Sequence, residues 1–247
     1  MISIRDLRVR YGDFEALHGL NLEIEKGELF CLLGPNGAGK TTTIKVLVGL
    51  LRPTSGTAQV EGLDVVDQAL DVKRLLGYVP DTPYLHEKLS AWESLRLIAG
   101  LHGLPEERFV ERAEELLGVF DLTERADMLA EDFSHGMRQR LSFACAFMHS
   151  PRTVIIDEPW VGLDPRSVRE VVDFLKEQTR HGTTVLMSTH SLPIAERIAD
   201  RVAIVNAGQV VACDRVDALL RDGKEELEEL FLSLTEDESA EPEPEPA

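Results

Sequence analysis

The segment Gly34-Pro35-Asn36-Gly37-Ala38-Gly39-Lys40-Thr41-Thr42, GPNGAGKTT, satisfies the spacing G-x-x-x-x-G-K-[ST], with Gly34, Gly39, Lys40 and Thr41 at the fixed places. Ahead of it, LFCLL (29–33) has the length and apolar character of a buried strand. Behind it, Ile44, Leu47, Val48 and Leu51 recur at helical spacing, so the loop joins a strand to a helix. These residue types have a chemical reason. Gly37 and Gly39 let the backbone turn inward and bring N–H groups close to phosphate oxygens, which a Cβ is expected to obstruct. The unpaired N–H groups and macrodipole of the following helix favour the same anion. Lys40 is placed to reach the β and γ phosphates of a nucleotide, and the Thr41 hydroxyl a Mg²⁺ ion.

Further along, TVIIDEP (153–159) reads as a short central strand that delivers Asp157 and Glu158 at its carboxyl end. Open α/β sheets place their ligands at that edge, and the phosphate loop leaves its own strand there too. The two motifs therefore meet in space although more than a hundred residues separate them.

Composition narrows the class. The chain has 247 residues, 43% of them hydrophobic, enough for one large domain or a core with a subdomain. No apolar run reaches the roughly 18 residues of a membrane span, and MISIRDLRVRY meets Arg5 and Asp6 before any signal-peptide core forms, so a cytosolic location is expected. Cys31, Cys145 and Cys213 lack metal-like spacing and are expected to be reduced core residues. The net charge is −18, and eleven acids against a single lysine lie between Asp222 and Ala247. Such a surface repels a phosphate backbone, so no nucleic-acid partner is expected. The closing DESAEPEPEPA alternates Glu with Pro and is expected to be disordered.

The order of elements supports an α/β core. ISIRDLRVRY and LHGLNLEIE alternate apolar and polar residues around the turn YGDFEA, as two strands of an antiparallel layer do. Tyr11 beside that turn is a candidate platform for a planar base. TSGTAQVEG and RLLGYVPD read as further strands. From Leu89 the pattern becomes helical: Ser90 can cap a helix through Leu101, PEERFVERAEELLGVF makes a second, LTERAD a short third, and a further helix follows FSHGM. This block, about 85–150, is read as a helical subdomain inserted in the core. A helix near 166–180, the strand TTVLMST, a helix near Ala195 and the strands RVAIVN and QVVACD complete the alternation. The expected organisation is a domain over 1–220 and an acidic tail over 221–247.

With these motifs in this order, the chain resembles the ATP-binding subunits of ABC transporters from Ile2 to about Leu220. Tyr11 matches the family's aromatic A-loop, GPNGAGKT its Walker A motif and VIIDEP its Walker B motif. Ser134 and Gly136 lie in the signature segment, Asp164 in the D-loop GLDP, and His190 in the switch segment STH. The resemblance implies a P-loop NTPase (RecA-like) core with an N-terminal antiparallel β layer. It also implies a head-to-tail pair of ATP-binding subunits, homodimer or heterodimer, with ATP held between one copy's phosphate loop and the other's signature. Lys40, Glu158 and His190 take the catalytic roles, and Thr41 and Asp157 hold Mg²⁺. Tyr11, residues Gly34 to Thr42, Asp81, Ser134, Gly136 and Asp164 line the nucleotide.

Three departures accompany the resemblance. Asp81 stands where the family usually has the Q-loop Gln, FSHGM replaces LSGGQ, and Trp160 and Val161 replace the usual Thr and Ser. Similar variants occur in a branch of exporter ATPases whose permease is a separate chain. An integral-membrane permease is thus the implied partner, docked near Pro83, Tyr84, Leu85 and Trp92, with this subunit peripheral on the inner face of the cell membrane. Two other readings remain open from sequence: a soluble regulatory or mechanical ATPase without a transport role, and a nucleotide switch with little turnover.

Overall fold

The computed structural model describes residues 1–160, 162–219 and 227–235. Its frame is two sheets. The first is antiparallel, in the order β2-β1-β4-β5, from β1 (Ile2–Tyr11), β2 (Phe14–Ile24), β4 (Ser55–Val60) and the two-residue β5 (Leu63–Asp64). The second runs β10-β9-β3-β8-β7-β6, from β3 (Leu29–Leu33), β6 (Leu76–Val79), β7 (Thr153–Asp157), β8 (Thr184–Thr189), β9 (Arg201–Asn206) and β10 (Gln209–Arg215). All its pairings are parallel except β10 on β9.

Strands β3, β7 and β8 are buried at every position, as expected where a parallel sheet is covered on both faces. The two-residue period of a strand divides them between two cores. Phe30, Leu32, Ile155 and Leu186 face the antiparallel layer and pack with Leu17, Leu20 and Ile44. Leu29, Cys31, Leu33, Val154, Ile156 and Met187 face the opposite way, toward the helices.

Helix α1 (Lys40–Leu47) leaves β3 through the glycine loop. It is one turn shorter than its apolar pattern, because Gly49 adopts φ +70° and the chain turns away before Leu51. A helix that the sequence pattern did not announce, α2 (Ala69–Leu75), precedes β6. The inserted block comprises α3 (Ala91–Leu101), α4 (Glu106–Val119) and α5 (His135–Phe147), all between β6 and β7. Ser90 and Glu93 cap α3 reciprocally. The stretch LTERAD forms only a 3₁₀ turn at Thr123–Arg125. Phe147 of α5 meets Phe174 of α6 (Pro165–Arg180) edge to face at 4.7 Å, so the block's core is continuous with that of the sheet.

The chain closes with α7 (Leu192–Ile198), α8 (Val216–Leu219) and α9 (Leu227–Thr235). Sequence reading assigned 221–247 to a tail; within it, α9 buries Leu227 completely and packs Leu230, Phe231 and Leu234 on the larger core. Its i, i+3, i+4, i+7 spacing at 227, 230, 231 and 234 carries that signal, obscured by the surrounding glutamates. The expected disorder of DESAEPEPEPA lies outside the described residues. The three cysteines are free; burial pushes the Cys145 thiol up to about 12. Among the described residues no helix is long and apolar enough to cross a membrane.

Candidate nucleotide-binding site

The carboxyl ends of β3, β8 and β7 lie side by side. The sequence placed the phosphate loop and Asp157 on one edge; the structure inserts β8 between their strands, and that strand contributes Ser188 and leads to His190. Asp157 and Ser188 are register partners. The Ser188 hydroxyl donates to Asp157 Oδ1 and accepts from the Glu158 amide at 3.1 Å. Ser188 thus ties both acidic residues to the neighbouring strand, a role that sequence reading missed. Its signal was a hydroxyl two residues before His190, directly after the apolar run 185–187.

Glu158 has φ +43°, a left-handed conformation unusual for a residue with a Cβ. Such strain persists only where neighbours hold it, and Ser188 does so here. The turn directs the Glu158 carboxylate to two partners: His190 Nδ1 at 2.8 Å from Oε2, and Lys40 Nζ at 4.0 Å from Oε1. Lys40 is almost fully buried, and its ammonium donates to the carbonyls of Gly34 at 2.7 Å and Pro35 at 3.1 Å. Burial holds it below the ordinary lysine range, while Glu158 and then Asp157 pull the other way.

The glycines differ in why they are needed. At Gly34 a Cβ would fall 2.3 Å from the Val205 carbonyl oxygen, so a close approach to β9 demands glycine. Gly39 opens α1 at φ +107°, and its Cβ would strike Leu17 Cδ2 at 2.7 Å. Gly37, at φ +83°, has open space where a Cβ would go. The expected obstruction by a Cβ is therefore met on the protein side of Gly39, and Gly37 serves the turn itself. Asn36 is exposed, Ala38 buried and Thr42 half-buried.

Thr41 Oγ1 lies 3.5 Å from Asp157 Oδ1. Two oxygen ligands at the loop's end fit a hard cation such as Mg²⁺. Thr43, the third hydroxyl in the run, turns back to the Gly39 carbonyl at 3.0 Å and belongs to the helix.

Tyr11 is 47% exposed on the β1–β2 turn, and its strand partner Phe14 is 66% exposed. Phe14 is a second aromatic surface that the sequence reading passed over. Ala16 and Leu17 of the same hairpin abut Gly39, so the hairpin packs against the phosphate loop. Asp81 follows β6, where its carboxylate accepts from the Thr82 amide at 2.7 Å. The Tyr78 phenol is pushed up chiefly by burial and then by the charges of Asp157 and Asp81.

The remaining predicted residues stand apart from this cluster. Ser134 caps α5 by accepting from the Met137 amide at 3.3 Å. Gly136 lies against the Gly162 carbonyl, where a Cβ would be 2.8 Å away. Asp164 caps α6, accepting from the amides of Arg166 and Ser167 and from the Ser167 hydroxyl at 2.7 Å; these bonds hold its carboxyl below the usual range.

A cleft of about 390 Å³ opens between β6 and helices α3 and α5. Tyr84, 85% exposed, and Leu85 line it with Leu50, Leu97 and His149. Of the expected docking residues, Trp92 turns the other way, its ring edge-on to Phe109 at 5.1 Å inside the helical block. Its position in the first turn of α3 falls on the face that α4 covers.

The sequence profile of the ABC transporter family matches residues 17–161. A daunorubicin resistance ATP-binding protein, DrrA3 of Streptomyces coeruleorubidus, is 40% identical over 90% of this chain and 74% of its own. The solved structure of an ATP-binding subunit of an ABC transporter superposes with a TM-score of 0.90 at 36% identity, covering 95% of this chain and 99% of that one. A dimeric ATP-binding cassette bound to ADP and Pi, in a post-hydrolysis state, superposes at 0.81 with 25% identity, covering 87% and 99%.

Proposed function

Since the chain belongs to the ABC transporter family as one of its ATP-binding subunits, we propose that it hydrolyses ATP to drive an exporter whose permease is a separate membrane chain. The observation that carries this reading is the convergence of Lys40, Thr41, Asp157, Glu158 and His190 at one sheet edge.

Water attacks the γ-phosphorus in line, its oxygen forming the new P–O bond as the bond to the β–γ bridging oxygen breaks. Glu158 takes the proton from that water. His190, bonded to the far oxygen of the same carboxylate, fixes the direction in which Oε1 points. Lys40 moves its ammonium from the loop carbonyls to the β and γ phosphate oxygens and offsets their charge. Thr41 and Asp157 hold Mg²⁺, which when bound neutralises phosphate charge. Tyr11 stacks on the base face, so ATP is preferred over GTP only modestly.

The Ser134 hydroxyl and the N–H groups of α5 serve the nucleotide of a second copy, head to tail, as an anion site at a helix N-terminus. A cytoplasmic segment of the permease fills the cleft beside half-buried Leu85 and covers the exposed Tyr84 ring, which otherwise stays in water. The Streptomyces relative is named for drug resistance, which supports export as the direction of transport.

Glu158→Gln tests the chemistry. ATP binding is retained, the dimer persists, and single-turnover hydrolysis falls at least about a hundredfold, the contribution of a positioned base. A fall of less than tenfold removes Glu158 from that role.

A further inference from the structure

Resting on the reading of His190 as the group that aims Glu158, we propose that the C-terminal helix α9 positions His190 by anchoring α7, with Glu196 as the positioning residue. The His190 side chain is 67% exposed, and its tie to the rest of the site is the bond to Glu158. Its direction therefore depends on the backbone at 189–192. There the Ser191 amide donates to Thr189 Oγ1 at 3.0 Å, and α7 begins at Leu192.

Helix α7 has only seven residues, too few to persist without tertiary support. Three contacts supply it. Ala195 and Ile198 enter the core. Lys176 of α6 donates to the Arg197 carbonyl at 3.0 Å. Glu196 Oε1 accepts from the Leu227 amide, the first of α9, at 2.6 Å. A carboxylate on a helix's first N–H is favoured by both the charge-assisted bond and the helix dipole. The other end of α9 is held in turn, since Asn206 Nδ2 at the close of β9 donates to the Leu234 carbonyl at 3.3 Å. Helix α9 thus braces α7 against the sheet, six residues from His190. Occupying or releasing α9 changes how firmly the water-directing pair is held, without touching the nucleotide.

The test compares kcat and KM for ATP in the full chain and in Glu196→Ala, Glu196→Gln, Phe231→Ala, His190→Ala and the double variant Glu196→Ala/His190→Ala. Glu196→Ala lowers kcat about five- to tenfold with KM within twofold, the signature of a loosened catalytic geometry. Glu196→Gln keeps an acceptor for the Leu227 amide and recovers most of the loss. Phe231→Ala, which weakens the packing of α9 on the larger core, reproduces the fall if Glu196→Ala folds poorly. Amide exchange rises across 192–198 in both. In the His190→Ala background, Glu196→Ala has no further effect, because the group it positions is gone. Parental kcat in Glu196→Ala overturns the proposal, as does an equal further loss in the His190→Ala background, which marks a general effect on the fold. Parental turnover in His190→Ala instead sinks the underlying reading of His190, so the two failures are told apart.

Discussion

The carboxyl edge of the parallel sheet and the amino end of α5 are both assigned to the phosphates of a nucleotide, yet they are built in opposite ways. At the sheet edge the functional groups hold one another: Ser188 bridges Asp157 and Glu158, Glu158 reaches His190, and Lys40 lies between the loop carbonyls and Glu158. At α5, among the described residues, Ser134 caps its own helix and Gly136 lies against the loop at Gly162. The first locality is preorganised inside one chain, which lowers the cost of ordering it during the reaction. The second offers helix N–H groups to a ligand that this chain does not itself bring to them. Under the proposed head-to-tail pairing, a site split this way would tie hydrolysis to the meeting of two copies.

The largest expected effect breaks that comparison at its root. Lys40→Ala and Ser134→Arg are each expected to abolish ATPase activity. Mixing the two purified variants restores about a quarter of the parental rate, because half the dimers then carry one intact composite site. No recovery in a coupled ATPase assay, with dimers confirmed by mass, sinks the head-to-tail pairing. Next in size is Ser188→Ala, which removes a buried bond to a carboxylate worth about 1.5–3 kcal/mol. Turnover falls roughly tenfold, while in the isolated chain Ser134→Ala removes the α5 cap and costs about 1 kcal/mol in thermal unfolding. Tyr11→Ala weakens ATP binding about three- to tenfold by calorimetry, in keeping with about 0.5–1.5 kcal/mol for one ring contact; unchanged affinity dismisses the platform.

The smallest effect concerns a locality remote from both. His149 stacks on His102 with ring centroids 3.6 Å apart on the cleft wall. Burial first, and His102 second, press the His149 imidazole down to about 4. The unfolded chain takes up that proton near the ordinary value of about 6.5. The resulting stability is present above about pH 6.5 and is lost as pH falls toward 4. In His149→Gln, melting temperature therefore falls less steeply over that window than in the parent. An equal slope removes His149 from the acid response.

Much of the site was legible because its motifs are local. The G-x-x-x-x-G-K-T spacing is a demand on successive backbone torsions and survives as sequence. The strand ending in Asp157-Glu158 is a continuous apolar run. Ser188 was not legible: it matters through its register with Asp157 across thirty-one residues, and register is not written in either strand alone. Phe14 was passed over because its alignment with Tyr11 depends on where the turn closes. Trp92 was misassigned since exposure of a large ring depends on whether another helix covers it, as α4 does here.

Sequence by itself determined that this chain has a phosphate loop between strand and helix, an acidic pair at a strand end and a helical insertion between strands, since each rests on spacing within one segment. Only the tertiary structure decided that β8 lies between the two motif-bearing strands, that Glu158 is bent toward His190 and Lys40, and that α9 docks beside α7. Those features depend on which surfaces bury against which, and burial is a property of the packed whole.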